Sequence, residues 1–512
     1  MDQETRDQEE VFAFLADPAS HGGNAVKRIP THAAIVFLAG KRVLKVKRAV
    51  RFPFLDYSTL EKRKAACQAE IEVNRSYAPE LYLRALPITR EEGGSLALGG
   101  KGEPVEWAVE MRRFDENLTL DRIAEERGID LDIADTLARE IAAAHERAAV
   151  VDPAPWIASL PAFFDEHAAA FRERPDLFPA NDVAALDRAC RVAFARVRPL
   201  LQKRGEHGLV RHCHGDLHLG NVALIGGRPV LFDAIEFNPL IASTDVLYDL
   251  AFLLMDLIER ELIGPANIVL NRYLTETRRD ENLDGLAALP LFLSLRASIR
   301  AKVTAVRLDQ AKQEKWPQIM RSARAYFAAA CRLIQPSPPR LIAIGGLSGT
   351  GKSVLARALA AEITPLPGAV LLRSDVVRKT IHGAAETEKL PREAYSASAT
   401  AGVYDALAGT ARRVVAAGHS AIVDAVFARE DERAAIAAVA QACGVGFHGL
   451  FLTADLDTRS NRVARRRHDA SDADAELTRL QENYDLGALA WPSVDATGTP
   501  DATLALAQAA LA

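Results

Sequence analysis

Over the first 115 or so residues, apolar positions recur in short runs with a period of two. Residues 33–38 and 42–47 flank the turn Ala39-Gly40 and predict a β-hairpin. From about 58 to 77 the spacing lengthens to that of a helix. Between 117 and 330 the pattern is mostly helical, as in 123–149 and 291–308, with a strand-like island at 222–237. The stretch Gln335-Pro336-Ser337-Pro338-Pro339 cannot continue a helix and marks a boundary. Beyond it, apolar runs at 341–344, 370–373, 420–424 and 446–452 alternate with helical stretches, which predicts βαβ units and a parallel sheet. No repeat of 20 to 50 residues is present.

Composition narrows this picture without changing it. A chain of 512 residues is long enough for roughly three folding units at about 150 residues each. With 49% hydrophobic and 26% charged residues it reads as globular rather than disordered or fibrous. Lys plus Arg number 63 against 68 Asp plus Glu, a net charge of -5, so the chain lacks the basic footprint of a nucleic-acid binder. Residues 340–512 carry net -2 and the remainder net -3, so neither half is a basic module. The first ten residues are polar and acidic, unlike a secretory signal, and no apolar run reaches the ~18 residues of a membrane span. The nearest, 246–257, is interrupted by Asp249 and Asp256. Five scattered cysteines with no CxxC pair argue against disulfides and zinc, and the expected compartment is the cytoplasm.

Two constellations carry chemistry. In His214-Gly215-Asp216-Leu217-His218-Leu219-Gly220-Asn221 the form is HxDxxxxN, and Asp233 follows at the end of an apolar strand. Phosphoryl transfer needs a carboxylate to take the acceptor hydroxyl's proton, plus an amide oxygen and a second carboxylate to hold Mg²⁺ on ATP. Asp216 fits the first role; Asn221 and Asp233 fit the metal roles. Such a hard cation prefers oxygen ligands. Upstream, Lys45 on the hairpin's second strand could reach the nucleotide phosphates, with Glu70 on the following helix as its partner. Lys47 and Glu72 compete for these roles, because Lys47 shares a strand face with Lys45. Met111 closes the apolar stretch before the helical half and reads as the hinge where adenine docks. His218 and Cys213 read as packing residues. Arg296, Arg300, Lys302 and Arg307 on a late helix lean towards a neutral or anionic substrate.

These residues resemble the aminoglycoside phosphotransferase and choline kinase group of protein-kinase-like enzymes, over about residues 25–330. The HGD form of the catalytic loop is that group's. Two departures stand out. No GxGxxG loop precedes Lys45, and Asp233 is followed by Ala-Ile-Glu rather than Phe-Gly, leaving open whether Glu236 also touches metal.

The second constellation is Gly346-Leu347-Ser348-Gly349-Thr350-Gly351-Lys352-Ser353, which matches GxxxxGK[ST] between a strand and a helix. Its backbone N–H groups would curl round phosphates, Lys352 would neutralise them and Ser353 would ligate Mg²⁺. The next strand leads into Ser374-Asp375-Val376-Val377-Arg378, giving Asp375 as candidate base and Arg378 as the cation for an anionic group. Asp424 ends a further strand and is a candidate partner for Mg²⁺ or substrate. Arg459, Arg462, Arg465, Arg466 and Arg467 precede an acidic loop and suggest a lid, with Arg466 a candidate phosphate contact.

This half resembles P-loop kinases of the zeta-toxin, gluconate kinase and polynucleotide 5′-kinase type, over about residues 340–490. With the segment Phe54-Leu55-Asp56-Tyr57-Ser58-Thr59-Leu60-Glu61, the whole chain looks like bacterial fusions of an aminoglycoside-phosphotransferase-like domain with such a domain. The expected architecture is a bilobal α+β protein-kinase-like domain, with lobes at 1–115 and 116–335, followed by an α/β P-loop domain at 336–512. The expected activity is a bifunctional small-molecule kinase using ATP and Mg²⁺ on hydroxyl acceptors, with no membrane or nucleic-acid partner. Alternatives are one catalytic half beside a regulatory nucleotide-binding half, or a polynucleotide 5′-kinase at the C-terminus.

Overall fold

The computed structural model describes residues 3–52, 55–309, 311–465 and 470–511. Compactness divides the chain into two units: Met1–Phe163 with Leu201–Asp256, and Phe164–Leu200 with Leu257–Ala512.

The first unit begins with the helix Gln3–Ala16 and contains a six-stranded antiparallel sheet. Its strand order is Val26–Pro30, Ala34–Ala39, Arg42–Lys47, Glu103–Arg112, Tyr82–Arg90, Leu96–Leu98. The alternation expected of the hairpin is what sorts its side chains. Leu44 and Val46 join Val11, Phe12 and Leu15 of the first helix in one core, while Val43 joins Cys67 and Ile71 of the helix Leu60–Arg75 in another. Lys45 and Lys47 share the face of Val43. The first helix was not legible, because its apolar positions form one short run, 11–16, at the end of an acidic stretch.

The helical pattern at 123–149 resolves into two helices, Leu120–Arg127 and Leu131–Arg147. Gly128, with φ 75°, ends the first, and the Asp130 carboxylate caps the second by accepting the Asp132 N–H at 2.8 Å. The island at 222–237 is a hairpin of Val222–Ile225 and Arg228–Leu231, turned by Gly226-Gly227. The helix Val246–Glu259 is buried along most of its length, including Asp249 and Asp256.

The second unit holds a five-stranded parallel sheet in the order Val370–Arg373, Ala421–Asp424, Arg340–Gly346, Gly446–Thr453, Ser493–Asp495. The last strand has three residues, too few to show a pattern in the sequence. Ile344, Asp424 and Arg373 are in register, so the strands' C-terminal ends form one edge. The helix Ile263–Thr277 belongs to this unit. Its Asn267 and Asn271 amides donate to the Ala369 carbonyl at 3.1 Å each, and the Asn271 Oδ1 accepts the Leu371 N–H at 2.7 Å. Side chains thereby satisfy a sheet edge that would otherwise be unpaired. This is why the compact unit extends past the prolines at 336–339 into the helical segment. The observed fold class is the expected one, kinase-like α+β followed by α/β with a parallel sheet.

Candidate active sites

In the first unit, Glu70 is buried on the helix Leu60–Arg75 and faces both lysines of the strand. Lys45 Nζ lies 2.9 Å from Glu70 Oε1 and 2.6 Å from Asp233 Oδ1. Lys47 pairs with the other Glu70 oxygen and with Glu236, and Glu236 also accepts from the Tyr57 hydroxyl at 3.0 Å. Period two explains the sharing: two lysines on one face meet one carboxylate. Glu72, the rival of Glu70, is exposed. Burial alone would penalise the charge on Glu70, but the two ammonium groups outweigh it and hold the carboxyl well below its ordinary range. The same carboxylates, led by Asp233, keep Lys45 charged against its own burial.

Asp233 has φ 61°, a left-handed conformation that a non-glycine residue adopts at a cost. Neighbours enforce it. The Asp233 N–H donates to the Tyr82 hydroxyl at 3.0 Å, and the Ala234 N–H donates to Asn74 Oδ1 at 2.8 Å. The result aims a carboxylate with 44% of its side chain exposed at the Lys45 ammonium. Asn221 Nδ2 donates to the Asp216 carbonyl at 2.9 Å and to its Oδ2 at 3.0 Å. His218 packs edge-on against Phe252, and its Nε2 lies 3.5 Å from Asp216 Oδ2. Cys213 is buried and donates to the Thr244 carbonyl at 3.6 Å. Met111 is buried with Leu38, Val43 and Val109, with Ile225, Val230 and Phe232 against the cluster.

The catalytic-loop backbone is held from below by residues the sequence reading passed over. Asp249 Oδ1 accepts the Gly215 N–H at 2.9 Å, and Oδ2 lies 3.3 Å from the His214 N and 3.2 Å from His145 Nε2. Asp256 Oδ2 accepts the Leu219 N–H at 3.0 Å. The signal was present, since these two carboxylates interrupt an otherwise apolar run. A buried carboxylate needs donors, and here the donors are the loop itself. Asp249→Ala should therefore strand two loop N–H groups and cost about 2–4 kcal/mol of stability. Urea denaturation monitored by circular dichroism measures this loss, and a midpoint equal to that of wild type would contradict the bracing role.

In the second unit, the phosphate loop turns on glycines that nothing else could replace. Gly349 has φ 86°, and a Cβ there would lie 2.5 Å from the Arg459 carbonyl oxygen. The Ser348 N–H donates to Gln481 Oε1 at 2.7 Å, and Lys352 Nζ donates to the Leu347 carbonyl at 3.1 Å. Gly346 takes φ 139° as the loop leaves its strand, and the Thr350 hydroxyl donates back to Leu347 O at 2.9 Å. Gly351, with φ 96°, stands immediately before the helix Lys352–Ala360. Ser353 Oγ donates to Asp424 Oδ2 at 2.5 Å, and Arg373 Nη2 lies 3.3 Å from the same Oγ.

Asp375 sits one residue into the helix Ser374–Ile381 at the sheet's C-terminal edge. Burial, and next the Asp424 carboxylate, raise its pKa above the ordinary range against the pull of Arg373 and Lys352. Arg378, on the same helix, donates to the Ala394 carbonyl at 2.6 Å and stacks 4.8 Å from the Tyr395 ring centroid. Arg459 is buried and donates to Ser348 O at 3.5 Å, while Arg462 reaches Thr350 O at 3.3 Å. Arg466 and Arg467 lie outside the described residues. The late-helix cations have local engagements: Lys302 meets Glu166 at 2.5 Å, Arg300 lies over Tyr326 and Arg296 is buried. They give no ground for the substrate polarity expected from them.

Each site offers an oxygen-donor set suited to Mg²⁺: the Asn221 amide and the accessible Asp233 carboxylate in one, the Ser353 hydroxyl and Asp424 carboxylate in the other. Bound there, the ion would supply charge neutralisation on nucleotide phosphates.

An HxDxxxxN loop and a lysine–carboxylate cluster in one unit, with a phosphate loop at the edge of a parallel sheet in the other, go with an enzyme of the kinase class. Residues 119–289 match the family model of the phosphotransferase enzyme family, and residues 341–485 match that of an AAA domain. The chain thus carries, one after the other, a stretch similar to the phosphotransferase enzyme family and a stretch similar to an AAA domain. It is 29% identical over 470 residues to the uncharacterized protein Rv2004c of Mycobacterium tuberculosis, covering 89% of this chain and 90% of that protein. Among solved structures it is similar to a choline/ethanolamine kinase family protein from Mesorhizobium loti, at 13% identity and TM-score 0.36, over 64% of this chain and 99% of that one. A gluconokinase from Sinorhizobium meliloti is similar at 18% identity and TM-score 0.25, over 35% of this chain and 93% of that one. Among the described residues no helix is long and apolar enough to cross a membrane.

Proposed function

We propose that the chain is a bifunctional, cytoplasmic phosphotransferase that moves the γ-phosphate of ATP to hydroxyl groups of small molecules, with one site in each half. Functionally it has three parts, a nucleotide clamp at 1–115, a helical lobe with the catalytic loop at 116–335, and a P-loop kinase at 336–512. In the first site Asp216 accepts the acceptor's hydroxyl proton, Lys45 holds the nucleotide phosphates and Glu70 fixes Lys45. Asn221 and Asp233 would hold Mg²⁺, and Met111 borders the adenine. In the second, Asp375 is the base, the loop from Gly346 to Ser353 cradles phosphate, and Ser353 with Asp424 would hold Mg²⁺. The observation that carries the reading is the double engagement of Lys45, at 2.9 Å with Glu70 and 2.6 Å with Asp233, beside an Asp216 bonded to Asn221. A purely structural ion pair would not need a second carboxylate held at a strained φ.

The test is ADP release from the full chain over panels of sugars, amino sugars, nucleosides and choline-like alcohols, with each site disabled in turn. Two separable acceptor sets support two active sites. A common acceptor lost in Asp216→Asn and untouched in Lys352→Ala would make the P-loop half regulatory. The pH dependence adds a check. Because Asp375 must be ionised to act and its pKa is raised, second-site kcat/KM should fall on acidification at a pH above the ~4 of an ordinary aspartate. A profile flat down to pH 4.5 would remove Asp375 as the base.

A further inference from the structure

The first unit contains a cavity that the proposed chemistry leaves unused. It encloses about 320 Å³ between Tyr77, the helix Leu131–Arg147 and the hairpin of Val222–Ile225 and Arg228–Leu231. Sites for small molecules run from about 300 to 1,000 Å³, so the space is of that order. Ala144, Ile225 and Val230 give it an apolar side. Of the charges on its rim, Arg228 and Glu140 pair with each other at 3.1 Å. Arg147 has no ion-pair or hydrogen-bond partner among the described residues, and neither has the Tyr77 hydroxyl. Both groups are donors. Burial, then the Asp249 carboxylate, hold the Tyr77 proton well above its ordinary range, while Arg147 acts on it in the opposite sense, which puts the guanidinium near the hydroxyl. Glu80, the remaining charge on the rim, is exposed to water.

Tyr77 also touches the catalytic loop. Its ring meets that of His214 edge-on, with centroids 5.2 Å apart. His214 Nε2 lies 2.9 Å from the Phe232 carbonyl oxygen, and the His214 carbonyl accepts the Ile235 N–H at 3.0 Å. These two bonds flank Asp233, whose φ of 61° has to be held from outside. The Tyr77 N–H donates to the carbonyl of Asn74 at 3.1 Å, and the side chain of Asn74 binds Ala234. Both anchors of the segment 232–235 thus lead back to the wall of this cavity. We propose that the cavity is an effector site for a small amphipathic carboxylate, its apolar body against Ala144, Ile225 and Val230 and its charge on the Tyr77 hydroxyl and the Arg147 guanidinium. Two uncommitted donors call for an acceptor. A phosphate dianion would face Glu80 and Glu140 on the same rim, and an ammonium would face Arg147. Occupancy re-seats Tyr77. Because the unoccupied arrangement is the one that holds Asp233 in its strained conformation, re-seating lowers first-site turnover. That effect rests on the reading of the first half as a kinase; the cavity's ligand class does not.

The test uses 3-phenylpropionate as probe on the full chain. By calorimetry it should bind about tenfold more tightly than 3-phenylpropionamide, 3-phenylpropylamine or phenyl phosphate. Tyr77→Phe, which keeps the ring on His214, should weaken binding of the acid about fivefold, and Arg147→Gln, a change at an exposed position, about tenfold. A second arm reads turnover in the chain carrying Lys352→Ala, so that ADP release reports the first site. Saturating probe should lower kcat about threefold or more and leave KM for ATP unchanged, and with Tyr77→Phe added about five times more probe should be needed for the same loss. No binding, a preference for the amine or the phosphate, or equal affinity in the unsubstituted chain and both variants overturns the site. Binding as expected with kcat unmoved overturns the effector role. Binding as expected in a chain whose first half phosphorylates no acceptor sinks the kinase reading and upholds the cavity's ligand class.

Discussion

Asp216→Asn should lower turnover at the first site by about 10²–10⁴-fold while leaving nucleotide affinity and thermal midpoint close to those of the unsubstituted chain. Local geometry is why such a clean separation is expected. Asn221 Nδ2 bonds both the backbone carbonyl and the side chain of Asp216, and only the second bond involves the substituted group. Gly215 and His214 are held by Asp249, which does not touch the Asp216 side chain in any bond described above. An amide at 216 therefore keeps the loop's shape and loses only the basic oxygen. Lys45→Met should behave differently. It removes one of two cations from the buried Glu70 and the sole ammonium described beside Asp233, so nucleotide affinity and stability should fall together. Kinetics with nucleotide titration, run beside differential scanning calorimetry, separates the two patterns. If Asp216→Asn retained more than a tenth of the activity, the carboxylate would not be the base.

The acid stability of this cluster has a definite sign. Glu70's pKa is depressed in the fold, so its contribution is complete above the unfolded value near 4.5 and is lost as pH falls from there towards the folded value.

What the sequence disclosed about these sites depended on whether the chemistry lies in consecutive residues. The HxDxxxxN loop and the GxxxxGK[ST] loop are contiguous, and their spacing is dictated by the ligand they serve, so both stood out before any fold was known. Glu70 was one of two candidate carboxylates on its helix, and only the third dimension chose between it and Glu72, by facing one inward and exposing the other. The supports were harder. Tyr82 and Asn74, which hold Asp233 in its strained conformation, lie 151 and 160 residues from the backbone groups they bond. No local pattern records such a pairing. Arg378 lies between the two cases. The DxxR spacing was legible, while its contacts with the Ala394 carbonyl and Tyr395 ring lie on a segment the spacing cannot see. The compact unit that holds the parallel sheet reaches back before residue 336 for a similar reason. Prolines at 336–339 interrupt the chain, yet two asparagines at 267 and 271 satisfy a sheet edge a hundred residues further on.

Lys352→Ala should abolish second-site turnover by about 10²–10³-fold and leave first-site turnover unchanged. The lysine stands at the start of the helix Lys352–Ala360, next to Gly351, and in the structure its ammonium rests on the Leu347 carbonyl at 3.1 Å. That contact is made to the loop's own backbone, and truncation also removes a cation that pulls on the buried Asp375 carboxylate. Stability should change by no more than about 1 kcal/mol. Gly349→Ala provides the contrast. There the added Cβ would meet the Arg459 carbonyl at 2.5 Å on a backbone with φ 86°, so the loop itself must shift. Nucleotide binding and the thermal midpoint should then both fall. Fluorescent-nucleotide titration in the Asp216→Asn background, with calorimetry of each protein, reads the difference. If Lys352→Ala also extinguished first-site turnover while remaining folded, the two halves would be steps of one coupled reaction rather than independent kinases.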